Sequence, residues 1–167
     1  EAYLKLLQHL GVARGCEEVA LSKVIIKLDE RILRLFKVDF RRVYLRSPKN
    51  YSVKVAPDGT FRDEWGIGYK HIAGYSEISW NPLKEASFEE IERYPLPDPY
   101  DKGISESLRS EVEKLYNDTH FSIVARKVSD MPFTMACYLC GYERFLVDLV
   151  TDERSAHALL SRISDVV

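Results

Sequence analysis

The chain has 167 residues, of which 46% are hydrophobic and 30% are charged. A chain of this length and apolar content is expected to form one domain with its own core, which excludes an intrinsically disordered protein. Its 24 basic and 26 acidic residues nearly balance, so charge gives no reason to expect nucleic acid or an anionic membrane as a partner.

Cysteine usage and the lack of targeting signals predict a cytoplasmic protein. Three cysteines are too few for a disulfide framework, which favours a reducing compartment. No apolar run approaches the roughly 20 residues needed to cross a bilayer, and no signal peptide is recognisable. The chain opens at Glu1, without a methionine and inside a predicted helix, so we expect a fragment of a longer protein or a chain that forms an oligomer.

Helical periodicity dominates the first part of the chain. Leucines recur on one side of a predicted helix over residues 2–10. Residues 17–36 carry a broader apolar stripe at helical spacing and predict a longer helix. Residues 38–46 are rich in β-branched and aromatic side chains, so they predict a strand.

The middle of the chain predicts a small antiparallel β-meander over residues 51–80. Extended segments flank a Pro-Asp-Gly turn signal at residues 57–59, and a further extended segment covers residues 75–80. After the meander, Ser87 and Glu90 have the spacing of a capping box at a helix N-terminus.

The remaining elements alternate between helix and strand. Residues 105–117 predict an amphipathic helix, and residues 121–128 predict a strand whose apolar run is typical of a buried parallel strand. Three more helices are predicted over residues 133–140, 143–150 and 152–163. Two strands separated by a long helical crossover indicate parallel pairing in an α/β fold.

Four stretches of the sequence carry a family resemblance. They are VDFRRV at residues 38–43, DEWGI at 63–67, PLKEA at 82–86 running into IERYPLPDP at 91–99, and GYERFL at 141–146 followed by Asp148 and Leu149. In this order and spacing they resemble the uroporphyrinogen decarboxylase family. The DEWG segment and the PLPDP run are more similar to its methyltransferase-like branch, which includes corrinoid-linked and cobalamin-linked methyl transfer proteins.

The resemblance implies a (β/α)8 barrel of the TIM type with its site at the C-terminal ends of the strands. Such a barrel needs about 250 residues, so residues 1–167 are expected to be its N-terminal portion, with the meander as an insert at about residues 51–80. The predicted strands at residues 38–46 and 121–128 are then neighbouring parallel barrel strands whose C-terminal ends face one cleft.

The resemblance also implies two residues at that cleft. The run PFTMACY, which ends at Tyr138, is similar to a family segment with a substrate-contacting tyrosine, so Tyr138 is the candidate catalytic residue. Its phenol is able to donate a hydrogen bond to a substrate oxygen; the alternative is a buried helical tyrosine bonded to the backbone. Arg46 lies where the first strand should leave the barrel and is the candidate to bind a carboxylate or phosphate; the alternative is a solvated loop arginine.

Arg46 also bears on the reaction. At this place the family's decarboxylase holds an aspartate that contacts the pyrrole nitrogens, and an arginine is unable to accept those N–H groups. The family's N-terminal arginine motif is also missing. We therefore expect no decarboxylation of uroporphyrinogen by this chain.

Two further residues are candidate substrate ligands. Asp39 matches an acidic position inside the family's first strand, and the alternative is a structural role, such as pairing with Arg41 or Arg42. Trp65, with Tyr69 beside it, is expected either to line a pocket formed by the βα loops or to pack the meander onto the barrel.

The residues of this chain predict no metal site. Cys137 and Cys140 form a Cys-x-x-Cys pair on one predicted helix, but no second pair follows, so both are expected to be small buried hydrophobes. The histidines are scattered along the chain at His9, His71, His120 and His157. The resemblance implies zinc and a corrinoid as possible cofactors of a full-length family member, with the zinc ligands in a C-terminal half that this chain lacks.

Three functions remain open. The first is a methyltransferase-like enzyme that acts on a small-molecule substrate or a corrinoid carrier protein. The second is a decarboxylase of an acidic tetrapyrrole, in which a protein acid protonates the carbanion left by carbon dioxide. The third is a non-catalytic barrel fragment that folds by association, because two barrel strands leave open sheet edges that need partners.

Overall fold

The computed structural model describes residues 2–12, 18–19, 25–44, 48–49, 51–72, 75–105, 108–125 and 131–167. Within these residues the fold is mixed α/β, with a two-stranded parallel sheet, a three-stranded antiparallel sheet and a short antiparallel strand pair. The expected α/β class is therefore confirmed, but the described strands form three separate sheets and close no barrel. Among the described residues no helix is long and apolar enough to cross a bilayer.

The elements follow one another in chain order. Helix α1 (Ala2–His9) precedes strands β1 (Glu18–Val19) and β2 (Ile25–Lys27), helix α2 (Glu30–Leu35) and strand β3 (Phe40–Val43). The meander strands are β4 (Thr60–Arg62), β5 (Gly68–Ile72) and β6 (Tyr75–Trp80). Then come helices α3 (Phe88–Arg93), α4 (Lys102–Ser105) and α5 (Leu108–Asp118), strand β7 (Ser122–Ala125), and helices α6 (Pro132–Cys140), α7 (Tyr142–Thr151) and α8 (Glu153–Ser164).

Strands β3 and β7 form the parallel sheet. Phe40 lies opposite Ser122, and Val43 lies opposite Ala125. The N–H group of Ser122 also donates to the carbonyl of Asp39 at 2.9 Å. The predicted parallel pairing of these two segments is therefore confirmed.

A buried arginine joins this sheet to helix α2. The guanidinium of Arg41 donates twice to the carboxylate of Glu30, at 2.7 and 2.8 Å, and also to the carbonyls of Val38 and Phe40. Its charge lies 3.6 Å from the centroid of the Phe121 ring. Arg41 thus pairs with Glu30, and the hydrogen bond lowers the pKa of the Glu30 carboxyl. A buried charge needs partners of this kind.

The single helix predicted over residues 17–36 is wrong. The described residues of this range include β1 and β2, which pair antiparallel, and helix α2 occupies only Glu30–Leu35. Asp29 caps α2, since its carboxylate accepts the N–H of Arg31 at 2.8 Å. The apolar stripe is rich in valine and isoleucine. These β-branched residues favour strands, so their helical spacing alone did not predict the structure correctly.

The meander is confirmed for strands β4, β5 and β6. Strand β5 pairs antiparallel with both β4 and β6. Residues 51–56 form no strand, so the first extended segment of the predicted meander is wrong. Tyr51 instead donates its hydroxyl to the carbonyl of Arg62 at 2.6 Å, which holds this segment along β4.

The main core lies where the C-terminal helices meet helix α3 and the turn before it. Its fully buried members include Ile67, Leu83, Ile91, Phe145 and Leu159. The capping box at the start of α3 and the three C-terminal helices are confirmed. These helices supply most of the apolar surface that this core removes from water.

Two arginines on α7 and α8 bind the backbone of residues 83–94. Arg144 donates to the carbonyls of Leu83 at 2.8 Å, Lys84 at 2.6 Å and Ala86 at 2.6 Å. Arg162 donates to the carbonyls of Ile91 and Tyr94 at the C-terminal end of α3. Carbonyls at a helix end lack the usual N–H donor four residues on. Arg162 supplies a donor to the carbonyl of Tyr94 and a second donor to that of Ile91, which also accepts the N–H of Tyr94 at 3.4 Å.

We expect Arg144→Met to lower the free energy of unfolding by about 2–4 kcal/mol, because three backbone carbonyls lose their charged donor. Arg109→Met is the matched control. Arg109 also pairs with an acid four residues on, Glu113, but its side chain is 87% exposed, so its loss should stay below about 0.5 kcal/mol. Urea unfolding measures both changes, and equal small losses would contradict the role given to Arg144.

Candidate functional site around Asp63

Asp63 closes the turn between strands β4 and β5. Its Oδ1 accepts the backbone N–H groups of Trp65 at 3.0 Å and Ile67 at 2.9 Å, and its Oδ2 accepts the hydroxyl of Tyr69 at 3.0 Å. The Asp63 carbonyl accepts the N–H of Gly66, whose φ is +77°. Aspartate at the first position and glycine at the fourth are typical of a β-turn, so local sequence places this carboxylate.

Burial raises the pKa of Asp63 to about 6 from an ordinary value of 3.8. The hydrogen bonds from Ile67, Tyr69 and Trp65 oppose this rise, and the neighbouring carboxylate of Glu64 adds to it. Burial and the adjacent Asp63 charge also raise the pKa of Tyr69. A carboxyl that titrates near neutral pH is suited to act as a general acid.

Aromatic side chains surround the Asp63–Tyr69 pair. Trp65 is only 5% exposed and belongs to the core, and Tyr94 donates its hydroxyl to the Trp65 carbonyl at 2.8 Å. Tyr138 of helix α6 is half-buried, and its phenol is near enough to contribute to the raised pKa of Tyr69. The ring of Tyr138 meets that of Tyr142 edge-on, with 6.1 Å between centroids.

The segment after the meander positions Tyr138. The side-chain amide of Asn81 donates to the carbonyl of Tyr138 at 2.7 Å. The N–H of Leu83 donates to the carbonyl of Leu139 at 2.9 Å. Because Arg144 binds the carbonyl of Leu83, helix α7 also helps to fix helix α6 against the segment that follows the meander.

A groove of about 510 Å³ lies beside Tyr94. Its apolar lining consists of Pro82, Leu83, Ala86, Tyr94 and Pro95, and its charged lining consists of Glu85, Glu89, Glu90 and Arg93. The volume falls within the range of small-molecule pockets. Three carboxylates against one guanidinium favour a cationic or neutral ligand over a polyanion.

The structure brings two of the four predicted site residues to one place. Tyr138 and Trp65 both border the Asp63–Tyr69 pair, but Trp65 is packed in the core, in line with the packing alternative. Asp39 is exposed, and in the described part of the chain its carboxylate makes no hydrogen bond or ion pair to this group. Arg46 lies outside the described residues.

The Cys-x-x-Cys pair is buried within helix α6. Cys137 and Cys140 are both free thiols, and burial raises the pKa of both, that of Cys140 to about 11. A thiol with a raised pKa is a poor nucleophile and a poor metal ligand. The prediction that both residues are small buried hydrophobes is therefore confirmed. In the described ranges no group of three or more His, Cys, Asp or Glu side chains is arranged to hold a metal ion.

Comparisons of the chain with protein-family models, with curated proteins and with solved structures found no significant match. The resemblance to the uroporphyrinogen decarboxylase family therefore remains a proposal that rests on the motifs of the sequence.

Asp63→Asn should change the pH dependence of stability. The folded protein holds the Asp63 proton up to about pH 6, whereas the unfolded chain releases it near pH 3.8. The stability that this proton contributes is thus fully present below about pH 3.8 and is lost as the pH rises through about 6. The asparagine does not titrate, but its oxygen is still able to accept the two backbone N–H groups.

Relative to wild type, the Asp63→Asn variant should therefore gain stability as the pH rises from about 4 to about 7. Urea unfolding of both proteins at several pH values measures this difference. The other carboxyl groups are common to both proteins, so their titration cancels. A difference that does not change with pH would show that Asp63 keeps an ordinary pKa.

Gly66→Ala should destabilise the fold more than Gly59→Ala. Both glycines have a positive φ, so both substitutions carry the cost of about 1–2 kcal/mol for a left-handed alanine. Only at Gly66 would the added Cβ collide with the hydroxyl of Tyr94, whereas at Gly59 the nearest atoms are 3.9 Å away. We expect about 1–3 kcal/mol of additional loss at Gly66 from this overpacking. Equal losses in urea unfolding would mean that Tyr94 moves aside freely.

Proposed function

We propose that this chain is the N-terminal part of a barrel protein of the uroporphyrinogen decarboxylase family, from its methyltransferase-like branch. The observation that carries the proposal is the parallel pairing of β3 with β7, two strands between which the antiparallel meander is inserted in the sequence. This arrangement is the one implied by the order of the family-like motifs. In the proposed protein the meander contributes Asp63 and Tyr69 to the substrate site, and helix α6 contributes Tyr138.

The aromatic rings beside Asp63 support a methylated ammonium compound as the substrate class. The hydroxyl of Tyr69 donates to Asp63, and the phenol of Tyr138 lies near enough to Tyr69 to raise its pKa. The exposed ring of Tyr142 contacts that of Tyr138, and Glu64 adds a negative charge near Asp63. Faces of aromatic rings attract quaternary ammonium groups, and nearby carboxylates add to that attraction. The lining of the groove beside Tyr94 is also mainly negative, like the carboxylates of Asp63 and Glu64.

Asp63 is suited to hold the cationic nitrogen of the substrate. When a nucleophile takes the methyl group, the electron pair of the C–N bond stays on nitrogen, so the amine that departs is neutral and needs no proton from the protein. Above its pKa of about 6 the carboxylate is largely ionised and attracts the ammonium group before the bond breaks. Tyr69 donates to Asp63 and holds that carboxyl in one orientation. Tyr138 adds a phenol that is able to donate a hydrogen bond to a substrate oxygen.

Residues other than those described would have to bind the cofactors of the family. The described residues contain no His and Cys cluster that fits zinc, which in this branch would activate a thiol. The proposal therefore gives this chain the role of binding and orienting the substrate.

The acidic character of the groove disfavours the decarboxylase alternative. A tetrapyrrole with several carboxylates, if bound in this groove, would meet Glu85, Glu89 and Glu90, with Arg93 as the one cation of the lining. Like charges at such short range oppose binding. The purified chain is accordingly expected to release no carbon dioxide from uroporphyrinogen.

Choline and its neutral carbon isostere, 3,3-dimethylbutan-1-ol, provide a matched test. Calorimetric titration should show choline binding at least about fivefold tighter, because a cation over aromatic faces gains about 1 kcal/mol. Tyr138→Leu should remove most of that preference, whereas Tyr100→Leu, which changes an exposed tyrosine outside the site, should keep it. Equal binding of the two ligands by the wild type, or tight binding of uroporphyrin, would overturn the proposed function.

A further inference from the structure

Tyr94 is held at both of its ends. It is the residue that caps the C-terminal end of helix α3, and its carbonyl accepts a hydrogen bond from Arg162 of helix α8 at 2.6 Å. Its hydroxyl donates to the carbonyl of Trp65 at 2.8 Å, in the turn that carries Asp63. The half-buried ring between these contacts packs against the main core, so Tyr94 connects the end of α3 to the Asp63 turn.

The contact between the Tyr94 hydroxyl and the turn is close. Gly66 lies against the hydroxyl, and a Cβ added there would collide with it. The carboxylate of Asp63 accepts the N–H groups of Trp65 and Ile67, on either side of this glycine. The hydroxyl therefore contacts the same stretch of backbone that holds the carboxylate.

The Tyr94 phenol acts on Asp63 through this turn rather than by a direct hydrogen bond. A phenol has one proton to donate, and that of Tyr94 goes to Trp65. Burial raises the pKa of Tyr94, and the charge of Asp63 adds to the rise while that of Arg62 opposes it. The phenol is therefore neutral between about pH 4 and about pH 8, and removal of its oxygen would leave every charge near Asp63 in place.

The other groups that face Asp63 lie on several elements. Glu64 follows it in the turn and raises its pKa, and Tyr69 of strand β5 donates to it. Burial, and then the charges of Glu64 and Asp63, raise the pKa of Tyr51. A Tyr94→Phe variant keeps all of these groups, so a change in the titration of Asp63 would come from its position and its exposure to water.

We propose that Tyr94 is a positioning residue for Asp63, whose hydroxyl occupies the carbonyl of Trp65 and so keeps water away from the carboxylate. That this carboxylate binds a methylated ammonium group rests on the function proposed above. Without the hydroxyl, the buried Trp65 carbonyl would lose this donor, and buried polar groups without a protein partner take up water. Water in the turn would also solvate Asp63 and favour its charged form. A carboxylate shielded from water attracts a cation more strongly, so the hydroxyl sets both the proton affinity of Asp63 and its attraction for the ligand.

The pKa of Asp63 in the Tyr94→Phe variant tests the proposal without any ligand. Carbon NMR follows the carboxyl group of Asp63 with pH, and the Asp63→Asn variant identifies its signal. The pKa should fall from about 6 towards the ordinary value of 3.8, because burial is the largest cause of its rise. Tyr3→Phe is the matched control, since the hydroxyl of Tyr3 bonds to the backbone N–H of Asp29 at the start of helix α2. This variant also loses a contact between a tyrosine and the backbone, but the pKa of Asp63 should stay at about 6. A pKa that stays at about 6 in Tyr94→Phe, or rises, overturns the proposal.

The pH profile of choline binding tests the consequence for the ligand. Choline keeps one positive charge between about pH 4 and about pH 8, so calorimetric titration reports changes in the protein. Its affinity for the wild type should fall about five- to tenfold from about pH 7.5 to about pH 5, as Asp63 becomes protonated. Tyr94→Phe should bind choline about three- to fivefold more weakly at about pH 7.5 and change little with pH.

The two measurements separate the positioning role from the proposed function. Profiles of the wild type and of Tyr94→Phe that run parallel overturn the positioning role, since a purely structural loss weakens binding equally at each pH. A wild type that does not bind choline, together with a lowered pKa of Asp63 in Tyr94→Phe, overturns the proposed function and supports the positioning role.

Discussion

Five backbone carbonyls between residues 83 and 94 accept hydrogen bonds from the C-terminal helices, which donate through Arg144 and Arg162. Buried carbonyls without donors would cost much of the small net stability of a domain. Arg162 holds the carbonyl of Tyr94, and Tyr94 in turn holds the carbonyl of Trp65 beside Asp63. The position of the Asp63 turn therefore depends on helices that follow it by about 80–100 residues.

The pKa values of two carboxylates of this chain shift in opposite directions. Glu30 is 46% exposed and pairs with the buried guanidinium of Arg41, so its charge is compensated and its pKa falls. Asp63 receives backbone N–H groups and a phenol, which compensate less, so its pKa rises. The difference between the two carboxylates lies in their burial and in their partners rather than in the sequence nearby.

The sequence correctly predicted the helices that are specified by side chains close together in the chain. The capping box of Ser87 and Glu90 and the helices after residue 131 follow from side chains a few positions apart. The parallel pairing of β3 and β7 followed from the crossover between them. Residues 17–36, by contrast, have apolar residues at helical spacing but many of these are β-branched, and the described part of this range includes two strands.

The candidate site was harder to foresee. The spacing of Asp63 and Gly66 marks a turn and was the available signal for the carboxylate, but nothing local shows that Tyr69 would donate to it or that burial would raise its pKa. The partners of Arg144 and Arg162 lie 58 to 71 residues away. Such contacts depend on how elements pack, which a single sequence does not encode in its local pattern.

The parallel sheet has a consequence for the order in which the chain acquires structure. Phe40 and Ser122 pair across about 80 residues, so closing that loop costs considerable chain entropy before any strand contact forms. Helices α6, α7 and α8 contact one another within a span of 33 residues (132–164) and face no such delay. The three C-terminal helices should therefore fold early, and the meander should then pack against them. The two parallel strands should pair last during folding and separate first during unfolding.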